Sequence, residues 1–129
     1  MFGIRGNMEI KALEVKKDSR GSLVEAFRLP NDGQVFYVVA KPNQTRGLHF
    51  HDHKTETFLV LYGDAEMQIK DRSTGNINKV EVNGSTPMSI KVVPNHTHSI
   101  TAGEDGCIFL VWADTLFDEE NPDTFGEEI

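Results

Sequence analysis

Apolar residues recur along this chain in short runs, and several runs alternate with polar positions, as in Glu66-Met67-Gln68-Ile69-Lys70. A period of two places one set of side chains on a buried face and the other on a wet one, so these runs predict β-strands. The strands expected are 23–28, 35–40, 58–62, 66–70, 79–82, 89–93, 99–101 and 107–113, all rich in Val, Ile, Phe or Tyr. Between them lie Asn31-Asp32-Gly33, Gly63-Asp64, Ser73-Thr74-Gly75-Asn76, Asn83-Gly84 and Gly103-Glu104-Asp105-Gly106. These are the residues that tolerate positive φ or hydrogen-bond their own backbone in tight turns. Many short strands at close spacing predict a β-sandwich or barrel and leave no room for helical crossovers. Residues 1–17 read as a leader and first-strand region, with Met8 an alternative start. Residues 18–117 read as the domain proper, and 118–129 as an acidic tail with at most one helical turn.

Composition narrows the function classes. At 129 residues the chain is one domain in size and needs no disulfide or metal merely to fold. Twenty acidic residues against thirteen basic ones, a net charge of −7 and no basic run argue against nucleic acid and membrane surfaces as partners. No apolar stretch approaches the ~20 residues of a membrane span, and no signal-peptide pattern opens the chain. The lone Cys107 lies in an apolar run and reads as core rather than nucleophile. A single cysteine also excludes an internal disulfide framework and fits a reducing compartment, so the expected location is cytoplasmic.

Histidine changes the picture. All five fall in two windows: His49, His51 and His53, then His96 and His98. In an extended segment His49 and His51 share a face, Glu56 follows across a short turn, and His98 reaches the same point from a neighbouring strand. Three imidazoles and one carboxylate suit Zn, Fe, Mn, Ni or Cu and suit Ca or Mg poorly. His53 and His96 are not forced into this set by spacing. Arg20 and Arg46 are candidates for phosphate, because guanidinium matches phosphate oxygens in a bidentate way. There is no glycine-rich phosphate loop and no dinucleotide fingerprint.

His49-x-His51-x4-Glu56-x6-Gly63 resembles the first motif of the cupin superfamily, and the stretch from Gly84 through Val93-Pro94-Asn95-His96-Thr97-His98 resembles the second. The second departs from the pattern, with Val93 at the usual proline and Asn95 at the usual glycine; Asn tolerates the left-handed conformation that such a turn needs. The resemblance implies an all-β, single-domain double-stranded β-helix, or jelly-roll barrel, with the site in its mouth. Asp18-Ser19-Arg20-Gly21-Ser22-Leu23-Val24-Glu25-Ala26-Phe27 and Arg46-Gly47-Leu48-His49 are similar to segments of dTDP-4-dehydrorhamnose 3,5-epimerases. That likeness implies nucleotide contacts at Arg20 and Glu25 and a base at His49. With Glu56-Thr57-Phe58-Leu59-Val60 and the ending Val111-Trp112-Ala113-Asp114-Thr115-Leu116-Phe117-Asp118, the chain resembles the C-terminal cupin domain of capsular-polysaccharide UDP-sugar reductases.

The function expected is a metal-dependent isomerase or epimerase acting on a nucleotide-linked 4-keto sugar in surface-polysaccharide biosynthesis. Its cofactor would be a divalent transition metal on His49, His51, Glu56 and His98, Zn first and Ni, Mn or Fe after it. A residue bound tightly to metal is not also a free base, so His53, His96 and Tyr37 become the candidates for proton transfer. Arg20, Glu25 and Arg46 are the candidate substrate contacts, and a homodimer is expected. The competing readings are a metal-dependent oxygenase on a small molecule and a non-catalytic sugar-binding or regulatory cupin.

Overall fold

The computed structural model describes residues 2–5, 8–29 and 31–129. Its elements are β1 (Phe2–Arg5), β2 (Met8–Lys11), β3 (Val15–Asp18), β4 (Gly21–Leu29), β5 (Gly33–Ala40), β6 (Thr45–Phe50), β7 (Glu56–Asp71), β8 (Ile77–Asn83), β9 (Ser89–Val92), β10 (His96–Ala113) and β11 (Phe125–Gly126). Among the described residues β1 and β2 pair only with each other. The other nine strands make one sheet in the order β11-β6-β10-β5-β4-β3, in which β7 pairs with β10, β8 and β9. Every pairing described is antiparallel.

The sheet closes because its two central strands are long and bent. β7 has 16 residues and β10 has 18, against the ~5–6 of an ordinary strand. The expected turns at Gly63 and at 103–106 are bends within these strands, where pairing between them jumps from Ala102 to Cys107. Gly63 and Gly106 have φ of 79° and 75°, and a Cβ on Gly63 would sit 2.2 Å from the Gly106 carbonyl oxygen. Only glycine fits such a crossing without moving backbone. Beyond the bend β10 changes partner, from β6 in its first half to β5 in its second, so the sheet faces itself.

Cross-strand partners share a face, and Leu23, Val38, Phe109 and Val60 form one inward row across β4, β5, β10 and β7. Around it cluster Phe58, Met67, Val82, Val92, Ile100 and Val111. Fully burying side chains of this size contributes about 1.5–3 kcal/mol each. The intervening positions, among them Val35, Tyr37, Leu110 and Trp112, lie on the outer face.

Alternation alone did not reveal β1, β2, β3, β6 or β11. β6 reads Thr-Arg-Gly-Leu-His-Phe and has no apolar period. The segment expected as an acidic tail contributes β11, which pairs Phe125 with Phe50 and Gly126 with His49. The Phe125 and Phe50 rings stack with centroids 5.3 Å apart, and the Arg72 guanidinium lies 3.7 Å from the Phe50 centroid.

Candidate metal centre

Arg46 and His49 are three positions apart, so a regular strand would point them to opposite faces. Between β6 and β10 the register shifts: His98 pairs with His49 and Ser99 with Gly47, leaving Leu48 as an extra residue. Gly47 has φ 93° and Leu48 φ 58°. This bulge restores His49 to the inner face alongside Arg46, which pairs with buried Ile100. Glu56 opens β7, and His98 lies near the start of β10. The turn ahead of it survives the replacement of glycine, with Asn95 at φ 65°.

One ligand atom from each of His49, His51, Glu56 and His98 lies within 4.8 Å of the others. Glu56 Oε1 is 2.7 Å from His51 Nε2 and 3.0 Å from His98 Nε2. His51 Nδ1 faces the Asp123 carbonyl and His98 Nδ1 faces the His96 carbonyl at 3.1 Å. A carbonyl only accepts, so each ring carries a proton on Nδ1 and turns Nε2 toward the centre. Two inward lone pairs facing one carboxylate oxygen call for a positive charge between them, either a proton or a metal ion.

The electrostatics point the same way. Burial, reinforced by His98, lowers the His49 pKa to about 4, so its imidazole is neutral and able to ligate at pH 7. Burial disfavours the His51 cation, yet the hydrogen bond and charge of Glu56 outweigh it and leave the pKa raised. Burial likewise disfavours the Glu56 carboxylate, and hydrogen bonds from His51 and His98 reverse that and hold it far below the usual range. The donor set fits a divalent transition ion: three borderline nitrogen donors, one oxygen, and a carbonyl behind two of the rings to fix their orientation.

The centre forms part of a cavity of about 280 Å³ that Arg20, Leu23, Arg46, Phe58 and Phe109 also line. The Arg46 side chain is 11% exposed; its Nη1 is buried without a hydrogen-bond partner and lies 3.8 Å from Asp18. Arg20 is bound to Asp18, with Nη2 and Nε at 2.6 and 3.2 Å from Oδ2. Glu25 does not line this cavity. It accepts from Gln34 at 2.7 Å and Arg28 at 3.1 Å.

The three candidate bases also lie outside the cavity. Tyr37 neighbours inward Val38, so strand alternation turns it to the outer face opposite Val24 and Leu110. His53 is exposed on the loop after β6. His96 donates from Nδ1 to the Pro94 carbonyl at 3.0 Å, with Nε2 3.9 Å from Asp71. Cys107 is buried, and burial pushes its thiol up to about 11, as expected of a core residue.

Asp123 had no signal in the sequence. Its carboxylate accepts from the backbone N–H groups of Asp52, His53 and Lys54 at 2.7, 2.9 and 2.8 Å, while its carbonyl holds His51. One residue thus braces both the ligand loop and a ligand. Only the fold brings it there, from 72 positions along the chain.

A curled antiparallel sheet with three imidazoles and a carboxylate on its inner face defines a cupin. The chain belongs to the family described as the polysaccharide biosynthesis C-terminal domain, whose model matches residues 16–125. It is 39% identical over 109 residues to a UDP-2-acetamido-2,6-beta-L-arabino-hexul-4-ose reductase of Pseudomonas aeruginosa, covering 84% of this chain and 29% of that protein. The crystal structure of the capsular polysaccharide assembling protein CapF from Staphylococcus aureus superposes with a TM-score of 0.89 at 30% identity, covering 93% of this chain and 34% of CapF. An oxalate decarboxylase variant of Bacillus subtilis shares the fold with a TM-score of 0.76 at 23% identity, over 96% of this chain and 33% of that one. The chain spans about a third of the length of these relatives. Among the described residues no helix is long and apolar enough to cross a membrane.

Proposed function

We propose that this domain is a metal-dependent epimerase or isomerase of a nucleotide-linked 4-keto sugar in surface-polysaccharide biosynthesis. The observation that carries the reading is the convergence of His49, His51, Glu56 and His98 on one point of a cavity that Arg20 and Arg46 also line. A bound divalent ion, Zn before Ni, Mn or Fe, supplies Lewis acidity that makes a proton beside a ketone easier to remove. His49, His51 and His98 supply neutral nitrogen donors, and Glu56 offsets part of the ion's charge. Phe58 and Phe109 keep the chamber apolar, which strengthens every charge interaction inside it. Arg20, half-exposed, is the contact for a substrate phosphate, and Arg46 lies deeper in the same cavity. Glu25 is engaged with Gln34 and Arg28, and proton transfer is not assigned to Tyr37, His53 or His96, which lie off the cavity. The domain works as a homodimer; exposed Leu61, Tyr62 and Trp112 on β7 and β10 supply apolar surface for it.

The test is exchange of solvent deuterium into a UDP-4-keto sugar by the metal-loaded domain. Glu56→Ala should lose metal and exchange together. Arg46→Ala should keep its metal and bind the sugar nucleotide about ten- to a hundredfold more weakly, the scale of one charged hydrogen bond. Oxygen uptake without exchange would replace this reading with an oxygenase.

A further inference from the structure

Leu48 immediately precedes His49, and Asn95 forms the turn ahead of His98; both are non-glycine residues at positive φ, 58° and 65°. The left-handed region disfavours such residues, leucine above all, and they stay there only where the surroundings hold them. Two residues outside the cavity do the holding, Arg72 and Glu127. The Glu127 N–H donates to the Leu48 carbonyl at 2.9 Å. Arg72 donates from its backbone N–H to the Asn95 carbonyl at 3.3 Å and from Nη1 to Asn95 Oδ1 at 2.7 Å. Asn95 in turn donates its N–H to the His51 carbonyl at 2.8 Å.

The two residues are joined to each other and to β10. Arg72 Nε donates to Glu127 Oε2 at 3.0 Å, and the hydroxyl of fully buried Thr97 donates to Glu127 Oε1 at 2.8 Å. Thr97 sits between His96, whose carbonyl orients His98, and His98 itself. The Arg72 guanidinium also covers the ring of Phe50, which lies between His49 and His51 in the chain. A lone, partly exposed ion pair adds little to stability, because ordering two long side chains offsets the attraction. Here the ordering is already in place. Arg72 is fixed by a ring, an amide and a carboxylate, and Glu127 by its Leu48 contact and a buried hydroxyl. What the pair gains is a set spacing between three segments, each carrying one imidazole of the centre.

We propose that Arg72 and Glu127 are positioning residues for the metal centre. Together they latch the backbone at Leu48 and Asn95 and so set the spacing of His49, His51 and His98. The inference rests on the metal-centre reading above and deepens it. Imidazoles fixed in advance need no rearrangement on loading, so releasing them lowers affinity and distorts the coordination.

Two readouts test the latch. In the first, Co(II) affinity is measured by competition with a chelator while the visible absorption of the ion is followed. Arg72→Met and Glu127→Leu should each weaken binding about 10–100-fold, the scale for groups that orient ligands, and shift the absorption bands. Glu127→Gln keeps an acceptor for Arg72 and a partner for Thr97, so it should retain the spectrum and most of the affinity. In the second, heteronuclear NMR reads the imidazole tautomers of metal-free protein well above the ordinary imidazole pKa of about 6.5. His51 and His98 should carry Nδ1–H, and Arg72→Met should mix the two tautomers. Unchanged Co(II) affinity and spectrum in Arg72→Met and Glu127→Leu, with Tm alone lowered, overturns the proposal. Equal losses in Glu127→Gln and Glu127→Leu also overturn it, because hydrogen-bonded geometry is then not what acts. Where Arg72→Met does not fold, Arg72→Lys decides, since a lysine reaches fewer of these partners. It should shift the spectrum the same way with a smaller loss of affinity, and an unchanged spectrum overturns the latch. If the unsubstituted protein takes up no Co(II), the metal-centre reading fails by itself. The tautomers then decide the latch, and unmixed Nδ1–H signals in the Arg72 variant overturn it.

Discussion

Replacing Asp123 with alanine tests whether the segment after β10 orients a ligand or merely covers the sheet. The substitution removes three hydrogen bonds of 2.7–2.9 Å from consecutive backbone N–H groups to one carboxylate. The Asp52 and His53 amides belong to exposed residues and recover water, whereas Lys54 is buried. The three bonds together are therefore worth about 2 kcal/mol, toward the low end for hydrogen bonds to a charge. In a domain of this size that lowers Tm by about 6–10 °C, measured on metal-free protein by calorimetry. The larger effect should fall on the metal. With the 51–55 loop released, the Asp123 carbonyl no longer fixes the Nδ1–H tautomer of His51, and losses of this kind cost about 10–100-fold in affinity. Competition of Co(II) between the protein and a chelator reads that number, and the absorption band should shift as His51 loses its orientation. If Asp123→Ala binds Co(II) with unchanged affinity and spectrum while Tm drops, the brace is structural only and the reasoning here is wrong.

Other outcomes follow from the same geometry. Gly47→Ala forces a Cβ to within 2.8 Å of the His98 carbonyl oxygen at φ 93°, so chelator competition should show weaker metal binding along with a lower Tm. Metal affinity should fall about tenfold per pH unit below the His51 pKa, which lies above its ordinary 6.5, because loading must displace that proton. His49, with a pKa of about 4, and Glu56, ionised throughout, add nothing to this slope near neutrality. In metal-free protein the raised His51 pKa contributes stability fully present below pH 6.5 and lost as pH rises through the folded value, so urea midpoints should register that loss. The proposed homodimer should appear in light scattering at micromolar concentration, and Tyr62→Glu on the exposed outer face should convert it to monomer.

The ligands were legible because their chemistry is local in the sequence. His49, His51 and Glu56 fall within eight residues, and the fold keeps them together. His98 required a pairing between β6 and β10 that no run of residues announces, although the second motif marked it. The strands of the core were legible wherever apolar and polar positions alternate, whereas β6 hides because its register is broken at Gly47 and Leu48. Asp123 was not legible. An aspartate after a proline carries no signature, and its role follows from contacts closed across the barrel. The position of Tyr37 has the same origin: it sits next to inward Val38, and strand parity, not residue type, decides which face it reaches.

The bulge at Gly47 and Leu48 makes the centre indifferent to one particular change of chain length. Strand faces have a parity, and the extra residue is what lets Arg46 and His49, three positions apart, share the inner face. Removing Leu48 would close the bulge and leave His49 opposite His98, Gly47 opposite Ser99 and Arg46 opposite Ile100 in a regular ladder, with the same side chains inward. A lineage could thus lose that codon and keep its metal centre, whereas drawing all four residues into a regular ladder would put Arg46 and His49 on opposite faces.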